Sequence, residues 1–214
     1  MRIGFIGAGR MGGPMVGRLV DTGHEVRALA RTAEKRSAVG QLGATAVSEA
    51  AEAAAAADAP VSGGPHDAAA GNLTLFVGGS DDTVAGLRPV LGCYADPVLH
   101  VGPIGAGQKV KLVNNALFAA QIGLLAESVQ LGTRLGVQES ILLTALPHGS
   151  AASRVLSIVA ARGSVRSFVE TVGDFVGKDV AVVRTITAEL GSDLGLLDGV
   201  IDPVVPLRPG TRYR

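Results

Sequence analysis

The chain has 214 residues, 47% of them hydrophobic and only 3% aromatic, so a core can be buried but must be built from aliphatic side chains. Lys plus Arg and Asp plus Glu each number 19, and this neutral balance excludes the basic footprint of a nucleic-acid binder or of a protein drawn to an anionic membrane surface. The single Cys93 makes no internal disulfide and fits a reducing compartment. No apolar run reads as a membrane span, and the first strand leaves no room for a signal peptide. A cytoplasmic protein is expected.

Residues 2–6 read as a short apolar strand, and Gly7-Ala8-Gly9-Arg10-Met11-Gly12 follows at once. A helix over 10–22 comes next, with Met11, Met15 and Leu19 on one face and Gly23 as its C-terminal cap. Residues 24–30 supply a second strand and close a βαβ unit. In this setting Gly7 permits a tight turn, Gly9 lets the backbone approach a pyrophosphate, and Gly12 lets helix and strand pack closely. Free N–H groups at the helix start hold the phosphate, with Ala8, Arg10 and Met11 in the same loop. The second strand ends in Ala30-Arg31-Thr32 without an acidic residue. An acid there would bond a ribose 2′-hydroxyl, whereas Arg31, with Thr32 beside it, suits a 2′-phosphate, so NADP is expected over NAD.

A helix over 32–42, a strand at 45–47 and an Ala-rich helix over 48–57 follow. Residues 58–65 read as a strand end and turn. Strands at 73–77 and 98–101 flank a helix at 81–91. From Gly105 the pattern changes. Residues 107–135 contain no Pro and read as one helix of about 40 Å. Helices over 138–146, 151–161 and 174–190 complete the chain. The expected fold is α/β: a truncated Rossmann-like NAD(P)-binding domain, 1–104, and an all-helical domain, 105–214, that begins with the long joining helix.

Two further segments carry chemistry. Lys111 and Asn115 are four residues apart on the long helix and share one face. A lysine shed of solvent at a domain boundary can exchange a proton with a carbonyl oxygen, and Asn115 can hold the same oxygen. Ser62 with the N–H groups of Gly63 and Gly64 forms a small nest suited to a carboxylate. Lys109 reads as a solvated neighbour. His24, His66, His100 and His148 lack metal spacing and read as structural, so no metal is expected. Cys93, with no neighbouring His or CxxC partner in sequence, reads as inert.

Gly4-Phe5-Ile6-Gly7-Ala8-Gly9-Arg10-Met11-Gly12, Asp58-Ala59-Pro60-Val61-Ser62-Gly63-Gly64-Pro65, Gly105 through Asn115, and Lys178-Asp179 stand in the order of the motifs of the β-hydroxyacid dehydrogenase family. The chain resembles that family, which includes 3-hydroxyisobutyrate dehydrogenases and tartronate semialdehyde reductases. The resemblance implies hydride transfer between NADP and a short β-hydroxy acid or its semialdehyde. Lys111 would then be the acid/base, Asn115 its partner, and Ser62, Gly63 and Gly64 the carboxylate site. It also implies that Lys178 reaches the substrate or the nicotinamide, and that the helical half forms a homodimer or homotetramer. Two alternatives stand beside it. One is a degenerate member that binds nucleotide, or only oligomerises, without turnover. The other is an imine reductase-like enzyme, against which Lys111 argues. The related 6-phosphogluconate dehydrogenases act on a sugar phosphate, which would call for more basic residues near the nest.

The chain departs from the family between Ala57 and Ala59. Two βα units of roughly 30 residues each are missing there, and the sequence after Gly191 does not match the family's final helices.

Overall fold

A computed structural model describes residues 2–48 and 57–202. The expected Ala-rich helix falls outside the described residues at 49–56, as does the chain beyond 202. The chain divides into two compact units, Met1–Lys111 and Leu112–Arg214.

The first unit opens with β1 (Arg2–Phe5), α1 (Gly12–Asp21), β2 (Glu25–Leu29), α2 (Ala33–Gln41) and β3 (Thr45–Val47). Thr32 caps α2 by accepting the N–H of Lys35 at 3.3 Å. The three strands form a parallel ladder in the order β1-β2-β3, with Phe5 opposite Ala28 and Leu29 opposite Val47. A second ladder follows from β4 (Ala57–Asp58), β5 (Val61–Ser62), β6 (Leu73–Gly79) and β7 (Ala95–Gly102), with α3 (Pro65–Ala70) and α4 (Asp81–Leu91) between strands. Its centre is β6, parallel to β7 on one edge and antiparallel to β4 and β5 on the other.

The two ladders share one core. Leu73, Leu75 and Val77 alternate inward from β6 and join Val16 and Leu19 of α1 and Val26 and Ala28 of β2. Polar ties cross the same seam. Arg18 Nε donates to the Cys93 carbonyl at 3.1 Å, and His24 Nε2 lies 3.3 Å from Cys93 Sγ. The reading of Cys93 as lacking a neighbouring histidine is therefore corrected: 69 residues of sequence separate a pair that the fold brings together.

The sheet is shortened. In a doubly wound fold the fourth strand pairs with the free side of the first. Among the described residues β1 pairs only with β2, and Ile6 at its end is 61% exposed. Two ladders around one core stand where a single sheet would run.

The second unit is helical. The long helix α5 (Ala106–Arg134) starts in the first unit and continues into the second, followed by α6 (Glu139–Ala145), α7 (Arg154–Arg162), α8 (Val165–Glu189) and α9 (Leu196–Ile201). Ser153 and Ser164 cap α7 and α8 through their hydroxyls. Glu139 also accepts the N–H of Val165 at 2.8 Å, linking α6 to the start of α8. Ile122, Val155, Val159, Phe168, Val180 and Ile201 meet in the core. Arg184 holds α9 to α8 by donating to Asp198 at 2.8 Å and to Asp202 at 2.5 Å. Burial alone would lower its affinity for a proton, but the two carboxylates hold it above its ordinary value.

By length and composition α5 is apolar enough to cross a bilayer, with a mean hydropathy of 1.3 over its most apolar window, of which 33% is buried. Its Ala119, Ala120, Ile122 and Leu125 belong to the helical core.

Candidate nucleotide and substrate site

The glycine turn has the geometry its spacing predicts. Gly7 sits at φ +103°, in the region that favours glycine, and its carbonyl accepts the N–H of Gly9 at 2.7 Å. A Cβ at Gly12 would strike the Gly7 carbonyl oxygen and come within 3.0 Å of the Phe5 ring, so only glycine lets α1 lie this close to β1. A Cβ at Gly9 would meet nothing within 4 Å, so the outer side of the turn is open. No side chain caps the start of α1. Ala8 and Met11 pack partly against the core, while Arg10 is exposed.

Arg31 stands exposed between β2 and α2. Because β1 and β2 are adjacent and parallel, the glycine turn and Arg31 leave the sheet at the same edge. The Arg31 carbonyl accepts from Arg36 Nη1 at 3.3 Å, and the Thr32 hydroxyl is engaged as the α2 cap.

The Ser62 segment lies on the second ladder. Ser62 ends β5, and Gly63 turns at φ +128° with its missing Cβ directed at Leu73 Cδ2 and the Asp67 carboxylate. One part of the expected nest is corrected here. The N–H of Gly64 already donates to Asp67 Oδ2 at 2.7 Å, the reciprocal half of a capping box at the start of α3. A second carboxylate on that N–H would have to displace Asp67. The remaining groups of the segment are Ser62, partly buried, and Gly63, exposed.

The start of α5 is tied to β6 by a residue to which the sequence reading gave no role. Asp58 accepts the N–H groups of Gly105 at 2.5 Å and Gln108 at 2.8 Å, capping the long helix from β4. Two glycines make room for this. A Cβ at Gly78 would strike Asp58 and approach the Pro103 carbonyl at 2.7 Å. One at Gly107 would strike the Phe76 carbonyl and approach Pro60 Cδ at 3.0 Å. Ala106 thus lies over Gly78 and Gly107 over Phe76, so α5 advances along β6 toward its Ser62 end. Lys111, partly buried, is one turn farther on. The signal for this cap was present as an acid just before Pro60 and as Gly78-Gly79 at a strand end, but a bond across 47 residues has no local pattern.

Asn115 lies one turn after Lys111 on the same helix, and its Oδ1 accepts from Asn114 Nδ2 at 3.3 Å. Lys178 is exposed on α8 and Asp179 is partly buried beside it. The glycine turn, Arg31, Ser62, Gly63 and Lys111 thus belong to the first unit, and Asn115 and Lys178 to the second.

Two family models match along the chain. The NAD-binding domain of 6-phosphogluconate dehydrogenase matches residues 2–59 and 52–102, and the NAD-binding domain of NADP-dependent 3-hydroxyisobutyrate dehydrogenase matches 105–201. The chain belongs to the β-hydroxyacid dehydrogenase family. Human mitochondrial 3-hydroxyisobutyrate dehydrogenase is 43% identical over 93 residues, 44% of this chain and 28% of that one. The 2-(hydroxymethyl)glutarate dehydrogenase of Eubacterium barkeri is 36% identical over 120 residues, 56% of this chain and 38% of that one. The chain thus covers well under half the length of these curated relatives. A structure of Mycobacterium tuberculosis 3-hydroxyisobutyrate dehydrogenase with L-serine superposes with a TM-score of 0.80 at 25% identity, covering 94% of this chain and 91% of that one. The first family match comes in two pieces that overlap at 52–59.

Proposed function

We propose that the chain is an NADP-dependent oxidoreductase acting on a short β-hydroxy acid or its semialdehyde. The observation that carries this reading is the glycine turn, with Gly12 pressed on Gly7 and an open flank at Gly9. That is the shape a pyrophosphate needs at a helix N-terminus. Arg31 leaves the adjacent strand at the same edge, which supports its reading as the partner of a 2′-phosphate, and Thr32 caps the helix behind it. Arg10 and Met11 complete the phosphate loop.

Bound nicotinamide supplies the hydride donor or acceptor. Lys111 gives the proton to the carbonyl oxygen as the alcohol forms, or removes it in the reverse direction. Asn115 orients that oxygen. Ser62 and the Gly63 N–H hold the substrate carboxylate, while Gly64 shapes the loop through Asp67. Lys178 supplies a second cation toward the substrate or coenzyme. The reading places the protein in the cytoplasm, where the single Cys93 stays reduced.

A second reading rests on the interrupted ladder. A family member with fewer central strands binds nucleotide without turning over substrate. A panel of short 3-hydroxy acids assayed for NADPH formation separates the two. Turnover that disappears in Lys111→Ala supports the enzyme. Nucleotide binding without turnover on any acid supports the second reading.

A further inference from the structure

We propose that His100 is a positioning residue: it holds the joint between β7 and α5 and so sets where Lys111 stands. This rests on the reading of Lys111 as the acid/base and adds a residue that the reading does not use.

His100 stands where β7 stops following β6. Val77 lies opposite His100 and Gly78 opposite Gly102, so Val101 is the extra residue of a bulge. The His100 ring spans that bulge. Its Nε2 lies 2.9 Å from the Gly79 carbonyl oxygen and 3.1 Å from that of Gly102. Carbonyl oxygens only accept, so Nε2 carries the hydrogen and donates to the ends of both strands. The other ring nitrogen, Nδ1, lies 3.3 Å from Asp81 Oδ1 at the start of α4. One side chain thus touches the ends of β6 and β7 and the first residue of α4.

The joint needs such a hold. It runs from Gly102, where β7 ends, to Gly105, just before α5, and the two glycines sit at φ +134° and +88°. Glycine leaves the backbone free at both ends. Each end has its own anchor. From β4, Asp58 accepts the N–H of Gly105, and from β7, His100 donates to the carbonyl of Gly102. Asp58 fixes the helix side of the joint and His100 the strand side. Lys111 follows Ala106 by five residues, about 7.5 Å along the helix. A tilt of about 8° at the joint would move it by about 1 Å, and a misplacement of that size costs up to about a hundredfold in rate.

The test compares His100→Ala, His100→Gln and Asp81→Ala with the native full chain, using 3-hydroxyisobutyrate and 3-hydroxypropionate as substrates. In His100→Ala, kcat should fall by about tenfold while KM and NADPH affinity stay within about twofold, since the glycine turn lies on the first ladder. His100→Gln keeps an N–H donor at the end of its side chain and should recover most of the rate. Asp81→Ala should leave kcat unchanged, because the joint is held through Nε2. Amide hydrogen exchange needs no turnover. Gly105 and Gln108 should exchange about tenfold faster in His100→Ala, with Leu75 and Val77 at the native rate. Native kcat in His100→Ala, a Gln variant no faster than the Ala variant, kcat and NADPH affinity falling together with the denaturation midpoint, or unchanged exchange at Gly105 and Gln108 would each overturn the proposal. A native chain that binds NADPH but turns over neither acid would instead contradict the reading of Lys111, and the exchange rates would then decide alone whether His100 holds the joint.

Discussion

Asp58 and Gln108 are separated by 50 residues and joined at 2.8 Å, carboxylate oxygen to backbone N–H. With the companion bond to Gly105, this fixes the first turn of α5 against β6, and Lys111 follows one turn later. The proposed acid/base thus follows a helix start that is held by Asp58. Asp58→Ala removes both acceptors and is expected to lower stability in chemical denaturation by about 1–3 kcal/mol. Asp58→Asn keeps one carbonyl oxygen and should lose less. Equal stability of the native and Ala forms would show that the cap is dispensable.

Gly9 and Gly12 separate binding from folding. The added methyl of Gly12→Ala meets the Gly7 carbonyl, so the turn must open, and both thermal stability and NADPH affinity should fall. Gly9→Ala meets no atom of the protein and should leave stability within about 1 kcal/mol of the native chain, the usual scale of a harmless substitution. It should still weaken NADPH, because its methyl fills the open flank. If Gly9→Ala binds NADPH as well as the native chain, the phosphate does not approach by that flank.

Coenzyme choice should rest on Arg31. Arg31→Asp replaces a donor for the 2′-phosphate by a carboxylate. It is expected to weaken NADPH by about 1–3 kcal/mol and to leave NADH unchanged or improved. Unaltered preference in competitive titrations would place the 2′-phosphate elsewhere.

Alkaline stability should turn on Tyr94. Its side chain is in the core, and burial, with the neighbouring Cys93 charge second, pushes its phenol up to about 12 from 10.0. The folded state therefore keeps a proton that the unfolded chain gives up. Stability is full below pH 10 and declines as the pH rises toward 12, by up to about 3 kcal/mol in total. Tyr94→Phe should flatten that part of the profile. A variant with the native slope would assign the alkaline loss to other groups.

Much of the first unit was legible because its signals are local. The apolar run, three glycines and an amphipathic helix specify β1, the turn and α1, and Thr32 and Thr45–Val47 fall where capping and strand propensity put them. Gly173 marks where local reading stopped working. The expected helix began just after it, at 174, whereas α8 runs from Val165 with Gly173 buried inside it. There glycine serves close packing, and the Ser164 cap and the buried Phe168 set the true start. Residues 58–65 read as a strand end and turn and 66–72 carried no expected element, whereas Pro65–Ala70 forms a helix, with Pro65 in its first turn. The turn was legible at Gly7 and Gly12, whose backbone geometry follows from sterics. The site was not legible at Gly64, whose N–H is consumed by Asp67, or at Asp58, Gly78 and Gly107, which acquire meaning only when distant segments meet.

The central claim is that a nucleotide site works on a shortened sheet. Titration of the purified chain with NADPH and, separately, NADH, followed by nicotinamide fluorescence, tests it most directly. The account predicts saturable NADPH binding, at least about tenfold tighter than NADH if one charge-assisted bond to the 2′-phosphate is made. Failure to bind either coenzyme would contradict it, leaving the glycine turn as a structural feature of β1 and α1 alone.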